Sequence, residues 1–253
     1  LEAEGDRERD KPLICVTFDD GYRDNAEIVA PILATHGLKA TFFLATGLIG
    51  TDQRFWFDRA AQAYQRLGNE GIQEKARHSG GTLSEWMMHL KSISSDRRES
   101  LLDDLESDSE SVEATLMTWN QARALCEQGH ELGSHTMSHP LLPQLDDLSL
   151  QRELSVSKSL LEDKLGQDIP GFCYPNGDHD ERVIDAVKTA GYEWACTTKA
   201  GRHDSGRDPY RMTRLDITPQ RVLHESQEHD ELGFRSEISL LREHFRTKGQ
   251  SAS

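Results

Sequence analysis

The stretch Leu13-Ile14-Cys15-Val16-Thr17-Phe18-Asp19-Asp20-Gly21 decides the fold. Its first six residues are rich in β-branched and aromatic side chains, which predicts a buried strand. Two adjacent carboxylates, Asp19 and Asp20, follow this strand directly. Active sites of α/β folds lie at the carboxyl ends of strands, so the pair fits a site. Asp and Gly also form ordinary turns, and the stretch alone does not separate the two interpretations.

The composition limits the class of protein and its partners. A chain of 253 residues can form one large α/β domain or two small ones. Its 44 acidic and 29 basic residues give a net charge of -15. Such a surface repels nucleic acid and anionic membranes, so we expect neither as a partner. No apolar run is long enough to span a bilayer. The composition leaves the oligomeric state open.

The two ends of the chain and its cysteines bear on location. Residues 1–11 are highly charged and are predicted to form a disordered lead-in, and residues 247–253 a flexible tail. No signal-peptide pattern is present. The cysteines have no CxxC spacing, and three lie in strand-like runs, which favours reduced thiols and the cytoplasm. If a leader has been trimmed, a secreted or periplasmic location is the alternative. The four cysteines are Cys15, Cys126, Cys173 and Cys196.

The order of elements predicts a parallel sheet. A helical pattern follows the opening strand and ends near Gly37, and residues 40–45 form a second apolar run. Strand, helix and strand within about forty residues are typical of a βαβ unit with a right-handed crossover. Further strands are predicted at 130–134, 171–174, 192–197 and 210–217. Helices are predicted from the N-cap Thr118, over 149–165, from the N-cap Asp180, and over 236–245.

Residues 51–115 interrupt this alternation. Their periodicity predicts several helices, so we interpret them as a helical insertion within a single domain that spans residues 12–246. The aromatic cluster Phe55-Trp56-Phe57 lies at its start. Such a cluster either packs in a core or forms a surface on which sugars stack, and packing is the more common case.

Two histidines four residues apart, His135 and His139, are the second chemical signal. On a helix, residues i and i+4 share a face and can hold one metal ion, although surface histidines or a turn are the alternatives. His135 and Asp20 each follow a predicted strand, and strand ends converge on one face of a barrel. Two imidazoles and a carboxylate form a suitable donor set for Zn²⁺. Asp19 would then stand beside the metal as a general base.

Three segments together resemble a known family. Thr17-Phe18-Asp19-Asp20-Gly21, His135-Thr136-Met137-Ser138-His139 and Phe172-Cys173-Tyr174-Pro175-Asn176-Gly177 resemble the first three motifs of the polysaccharide deacetylases. This is the NodB-homology group, carbohydrate esterase family four, in the subgroup whose third motif reads aromatic-x-Tyr-Pro-x-Gly. The resemblance covers residues 12–50 and 116–217.

The resemblance implies a fold and an activity. The fold is α/β, a distorted (β/α) barrel of about seven parallel strands. The activity is hydrolysis of an N-acetyl group, or less often an O-acetyl group, on a glycan or amino sugar. The cofactor is a divalent metal, usually Zn²⁺, with Co²⁺, Ni²⁺ or Mn²⁺ as alternatives. Water activated by the metal would attack the acetyl group.

The roles of residues follow from the same resemblance. Asp20, His135 and His139 would bind the metal, and Asp19 would be the catalytic base. The third motif, Tyr174-Pro175-Asn176-Gly177, would form a wall of the substrate groove, with the backbone N–H of Tyr174 as an oxyanion donor.

The chain departs from the family pattern at two functional positions. Cys173 stands where many members have an arginine that orients the base, so Arg214 or Arg211 is expected to take that part. The histidine that protonates the leaving amine is not obvious. His224, within Val222-Leu223-His224, is the first candidate, and His179 and His203 are the alternatives. Trp194 is either a remnant of the fourth motif or a core residue.

Two other functions use the same residues. The site could hydrolyse another amide, such as an N-formyl group. Alternatively, the chain could be a carbohydrate-binding relative that has lost turnover. The presence of Asp19 together with Asp20, His135 and His139 argues against the second alternative.

Overall fold

The computed structural model describes residues 14–76, 81–106, 115–202 and 206–217. One sheet of five parallel strands, curled into a half-barrel, organises this part of the chain. The spatial order of the strands is the same as their order in the sequence. The strands are β1 (Val16–Phe18), β2 (Ala40–Leu44), β3 (Glu131–Ser134), β4 (Gly171–Cys173) and β5 (Trp194–Cys196). The predicted α/β barrel-like architecture is confirmed.

Helices connect successive strands. A π-helical turn, Asn25–Val29, leads directly into the first of them. The predicted N-caps are confirmed, because Thr118 accepts a hydrogen bond from Gln121 N and Asp180 accepts one from Val183 N. The helices are α1 (Ala30–Thr35), α2 (Trp56–Ala76), α3 (Leu83–Ser92), α4 (Ser95–Glu106), α5 (Trp119–Glu127), α6 (Asp147–Leu165) and α7 (Glu181–Thr189).

The predicted count of about seven strands is wrong for the part of the chain described, which contains five. Residues 210–217, predicted as the last strand, begin with a 3₁₀ turn at Pro209–Arg211. Asp208 caps this turn by accepting a hydrogen bond from Tyr210 N, and Pro209 has no N–H to give to a sheet. Only Met212 pairs with β5, through a single bridge to Cys196. The predicted lead-in 1–11, helix 236–245 and tail 247–253 lie outside the described residues.

The main core lies between the sheet and the helices α1 and α5–α7. All five residues of β2 are buried, as the apolar run predicted. On the other face of the sheet, Trp194 packs edge-on against Phe43 at 5.8 Å between ring centroids. Gly171 permits this packing, because a Cβ atom there would collide with the Trp194 ring. Trp194 is therefore a packing residue in this structure.

The described part of the segment between β2 and α5 carries three helices, α2, α3 and α4, with a hydrophobic core of their own. Trp86, Leu90 and Leu102 are completely buried there. Arg59 joins α2 to α4 through ion pairs with Glu99, Asp103 and Glu106. The insertion predicted over 51–115 is thus helical where it is described. Its place in a single domain of residues 12–246 stays a prediction.

No helix in the described ranges has the length and apolar character needed to cross a membrane.

Candidate active site

The chemical groups predicted from the three motifs meet at the carboxyl end of the parallel sheet. Asp19 and Asp20 follow β1, His135 follows β3, and Asn176 follows β4. They line a cavity of about 330 Å³, and the helical insertion forms its opposite wall. From the barrel, the lining residues are Asp19, Asp20, His135, His139, Asn176 and Thr198, and from the insertion they are Trp56, Phe57, Met87 and Lys91.

The backbone of all three motifs is held in an unusual conformation. Within the described ranges, four non-glycine residues have positive φ, namely Asp20 (75°), Thr136 (68°), His139 (57°) and Asn176 (55°). A left-handed conformation costs roughly 1–3 kcal/mol per residue and persists where surrounding structure enforces it, often at functional sites. The turn interpretation of Asp-Asp-Gly also holds, since Gly21 N donates to Asp19 O at 2.9 Å. The turn itself sets the directions of the Asp19 and Asp20 carboxylates.

Asp20, His135 and His139 form a compact set of metal-donor atoms. Asp20 Oδ1 lies 3.4 Å from His135 Nε2 and 3.5 Å from His139 Nε2, and both histidines are buried. Asp20 Oδ1 is also buried and has no hydrogen-bond partner among the described residues. A buried carboxylate oxygen without a donor is unfavourable on its own and is stabilised by a cation. The three residues therefore fit a divalent metal.

The expectation that His135 and His139 share a helical face is wrong, because both lie in a loop. His139 N donates to Thr136 Oγ1 at 3.0 Å, which closes the loop from within. Glu153 of α6 fastens it from outside by accepting hydrogen bonds from the backbone N–H groups of Met137 and Ser138. The left-handed φ of His139 then returns its ring toward His135, at 4.8 Å between centroids.

Hydrogen bonding and burial set the protonation of the two histidines. His135 Nδ1 lies 2.7 Å from the Cys173 carbonyl oxygen, which can only accept, so Nδ1 carries a proton and Nε2 faces the cavity. Burial lowers the pKa of His135, but Asp20 and Asp19 outweigh it and the pKa is raised. Burial and the neighbouring His135 lower the pKa of His139 to about 4. His139 is therefore neutral at pH 7, as a metal ligand must be.

Asp19 is held by a bidentate pair with Arg214. Arg214 Nη1 donates to Asp19 Oδ1 and Nη2 to Oδ2, each at 2.7 Å. The guanidinium is fixed in turn by Thr17 Oγ1 at 3.1 Å and the Thr197 carbonyl at 3.0 Å. Burial raises the pKa of Asp19, but the hydrogen bonds and charge of Arg214, with His135, outweigh it and lower the pKa. Asp19 is thus an ionised, oriented acceptor at neutral pH.

Cys173 lies directly beside this pair. Arg214 Nη2 donates to Cys173 Sγ at 3.1 Å, and the thiol donates to Asp19 Oδ2 at 3.5 Å. Burial and the Asp19 charge raise the pKa of the Cys173 thiol, which stays neutral. The other expected arginine, Arg211, pairs instead with Glu181 and Asp208. Of the two candidates, Arg214 is the one that reaches Asp19.

The third motif contributes differently from the expectation. The backbone N–H of Tyr174 donates to the Cys196 carbonyl at 3.1 Å, so this N–H is engaged in the sheet and is not free for a substrate oxygen. Tyr174 and Pro175 are buried. Gly177 has a φ of 76°, and a Cβ atom there would collide with Thr198. Asn176 is the member of the motif that reaches the cavity.

His179 is the predicted general acid that lies in the described part of the chain, and it does not line the cavity. His224 and the alternative His203 lie outside the described residues. His179 Nδ1 bonds to the Gly177 carbonyl at 2.8 Å, and its ring stacks on Tyr174. Its side chain therefore packs against Gly177 and Tyr174 of the third motif.

Thr198, in the segment after β5, and four residues of the insertion also line the cavity without having been assigned to the site from the sequence. Phe57, from the cluster interpreted mainly as packing, lies edge-on to His139 at 5.2 Å and lines the cavity. Trp56 is buried in the core of the insertion and also reaches the cavity. The Phe55-Trp56-Phe57 cluster was a signal for these two. Met87 and Lys91 carried no local signal, because nothing in α3 shows which of its faces meets the barrel.

Sequence comparison identifies the family. Residues 6–195 match the pattern of the family described as Polysaccharide deacetylase. This chain belongs to the polysaccharide deacetylase family. The resemblance inferred from the three motifs is thereby confirmed, and the subgroup assignment stays a prediction.

Three relatives of this polysaccharide deacetylase family member are between 18% and 23% identical to it over the matched residues. The Bacillus subtilis protein YxkH is 23% identical over 214 residues, which are 85% of this chain and 54% of YxkH. The chain thus spans about half the length of that curated relative. Two solved structures share its fold. Streptococcus pyogenes deacetylase PplD, in complex with acetate, has a TM-score of 0.56 and 20% identity, covering 83% of this chain and 67% of PplD. IcaB from Ammonifex degensii has a TM-score of 0.52 and 18% identity, and the match covers 82% of this chain and 69% of IcaB.

Proposed function

We propose that this chain is a metal-dependent hydrolase that removes acetyl groups, N-acetyl groups foremost, from a glycan or amino sugar. Its membership of the polysaccharide deacetylase family supports the class of reaction. The observation that carries the proposal is the meeting of two sets of groups in one cavity. One set is Asp20 with His135 and His139, and the other is Asp19, whose carboxylate Arg214 holds from outside the cavity lining.

The metal would be held by Asp20, His135 and His139. Two imidazoles and one carboxylate suit Zn²⁺, and Co²⁺, Ni²⁺ and Mn²⁺ accept the same donors. A divalent cation bound there would lower the pKa of a coordinated water to about 7 and polarise the acetyl carbonyl. The Cys173 carbonyl, by holding the Nδ1 proton of His135, keeps the Nε2 lone pair directed into the cavity.

Asp19 would take the proton from the attacking water. Its carboxylate is ionised at neutral pH and lines the same cavity as Asp20, so it can accept a proton there. Arg214 restricts the carboxylate to one orientation by bonding both oxygens. Thr17 and Thr197 restrict Arg214 in turn. The orientation of the base therefore depends on a chain of hydrogen bonds and not on Asp19 alone.

Acetate release with and without metal tests the proposed function. The substrates are N-acetylglucosamine oligomers and O-acetylated xylan, with N-formylated amino sugars as a third arm. Protein treated with a chelator is expected to lose acetate release by at least about 100-fold and to regain it on addition of Zn²⁺. Release of formate alone would identify another amide hydrolase. Acetate release that is unaffected by the chelator would contradict the metal-dependent mechanism.

Arg214→Met is expected to lower kcat by roughly 10–100-fold, because it removes two charge-assisted hydrogen bonds that orient the base. Arg214 lowers the pKa of Asp19 against the effect of burial, so without it that pKa rises. The base must be ionised, and the acid limb of the kcat/KM profile should therefore move to higher pH. Arg211→Met is the matched control, since Arg211 pairs with Glu181 and Asp208 outside the cavity. An unchanged acid limb in Arg214→Met would contradict the orienting role.

A further inference from the structure

A single lysine of the insertion reaches the active-site cavity. Lys91 lies in the last turn of α3 and is partly buried. Its Nζ donates to Asn176 Oδ1 at 3.3 Å, and its backbone carbonyl accepts from Gln144 Nε2 at 3.1 Å. These two contacts hold the lysine against the barrel. Within the described ranges, no carboxylate lies within ion-pair distance of its ammonium group. Lys91 thus presents a positive charge in the cavity without an ion-pair partner among the residues that the structure describes.

Asn176 adds a second donor beside this charge. An ammonium group only donates, so its contact with Asn176 identifies the bonded atom as Oδ1 and places the amide NH₂ elsewhere. Asn176 Nδ2 is buried and has no hydrogen-bond partner in the described part of the chain. Its backbone has a φ of 55°, in the left-handed region. Lys91 thus has three N–H donors, one of which bonds to Asn176, and Asn176 Nδ2 lacks an acceptor among the described residues.

The charges around the pair favour an anionic acceptor. Asp19 is neutralised by its bidentate contact with Arg214. Asp20 is directed toward the two histidines. The chain as a whole carries a net charge of -15 and repels anions at a distance. A substrate with an acidic group can bind such a protein only where a local cation compensates that repulsion.

We propose that Lys91, positioned by Asn176, binds an anionic substituent of the substrate. The preferred substrate would then carry a carboxylate or a phosphate on or next to the acetylated sugar. This inference rests on the proposed deacetylase function and specifies its substrate class. Lys91 acts in it as a binding residue that sets specificity.

Three soluble substrates test the proposal. They are N-acetylglucosamine linked to glucose, N-acetylglucosamine linked to glucuronate, and N-acetylglucosamine 1-phosphate, so that the second and third arms separate a carboxylate from a phosphate. The wild type is expected to show a kcat/KM for one acidic substrate about tenfold or more above the neutral one. Lys91→Met should remove this preference by raising the KM for the acidic substrate. It should change kcat/KM for the neutral substrate by less than about threefold. Lys91→Arg should retain most of the preference.

Binding of the deacetylated products gives a readout that does not depend on turnover. Titration calorimetry of the wild type should show tighter binding of the acidic product, weakening as salt is raised. In Lys91→Met the acidic and neutral products should bind equally, with little effect of salt. Asn176→Asp replaces the Nδ2 donor by an acceptor, and aspartate tolerates the same left-handed backbone. This variant should weaken binding of the acidic product more than binding of the neutral product. Lys164→Met is the control, since Lys164 lies over the Trp119 ring and does not line the cavity.

The outcomes separate this inference from the proposed function. If Lys91→Met lowers kcat/KM equally for neutral and acidic substrates, the lysine acts in catalysis or in the attachment of α3. That result would overturn the proposal. Equal binding of acidic and neutral products by the wild type would also overturn it. If no substrate releases acetate but the acidic product still binds through Lys91, the proposed reaction fails and the anion site stands.

Discussion

Replacing Asp19 with asparagine is expected to lower kcat for acetate release by about 10²–10⁴-fold, the usual contribution of a positioned general base. Asparagine has nearly the same shape, and its Oδ1 can still accept one hydrogen bond from Arg214. It has no negative charge and cannot accept the proton from water. The affinity for Zn²⁺ should change little, because Asp19 is not part of the Asp20–His135–His139 set.

Kinetics and a Zn²⁺ titration on the same preparation check this result. The matched control is Asp185→Asn, which removes an exposed carboxylate of α7 that pairs only with nearby Lys188 among the described residues. This variant should retain wild-type kcat. If Asp19→Asn keeps wild-type kcat, Asp19 is not the base. If it loses Zn²⁺ together with activity, Asp19 belongs to the metal site.

His135→Ala is expected to weaken Zn²⁺ binding by at least about 100-fold and to abolish acetate release. The binding can be measured without activity, by competition with a chromophoric chelator. Thermal unfolding provides a second readout, since a metal ion at a free concentration of 100 times its Kd stabilises the fold by about 2.7 kcal/mol. Zn²⁺ should raise the Tm of the wild type and leave that of the variant unchanged. His36→Ala, at the exposed end of α1, is the control.

His139→Ala then separates two possible donor sets. The described residues contain a second group, Asp19 with His135 and Cys173, whose ligand atoms are also close together. His135 belongs to both groups, whereas His139 belongs to the proposed one alone. Burial raises the pKa of the Cys173 thiol, which disfavours the thiolate that a metal requires. We therefore expect His139→Ala to lose Zn²⁺ as His135→Ala does. Wild-type Zn²⁺ affinity in His139→Ala would move the metal to the second group.

Arg214 shows how far sequence reasoning reached at this site. The sequence showed that Cys173 occupies the place of the usual arginine, and the charge of Asp19 required a cation from elsewhere. Arg211 and Arg214 were both candidates because both lie on the same predicted strand, 210–217. The 3₁₀ turn at Pro209–Arg211 directs Arg211 toward Glu181 and leaves Arg214 to reach Asp19. Because a turn replaces the predicted strand, Arg214 and not Arg211 reaches Asp19.

The histidine pair illustrates a correct grouping with a wrong local structure. Spacing of four residues predicted a shared helical face, and the structure brings the two rings together through a loop. Positive φ values at Thr136 and His139 make this possible, and such a conformation is uncommon enough in non-glycine residues that the sequence does not predict it there. Glu153, which holds the loop, lies in the following helix and could not be assigned to it from the motif.

Local sequence patterns were enough to predict the strand–helix alternation, the caps of two helices, and the two carboxylates and two histidines near strand ends. These features depend on residue type and on neighbours within a few positions, so local patterns are sufficient to predict them. Only the packing of distant elements reveals that Arg214 pairs with Asp19, that the Tyr174 N–H is engaged in the sheet, and that Lys91 enters the cavity. These contacts join residues 195, 22 and 85 positions apart. They depend on how whole elements pack against one another, which no local pattern encodes.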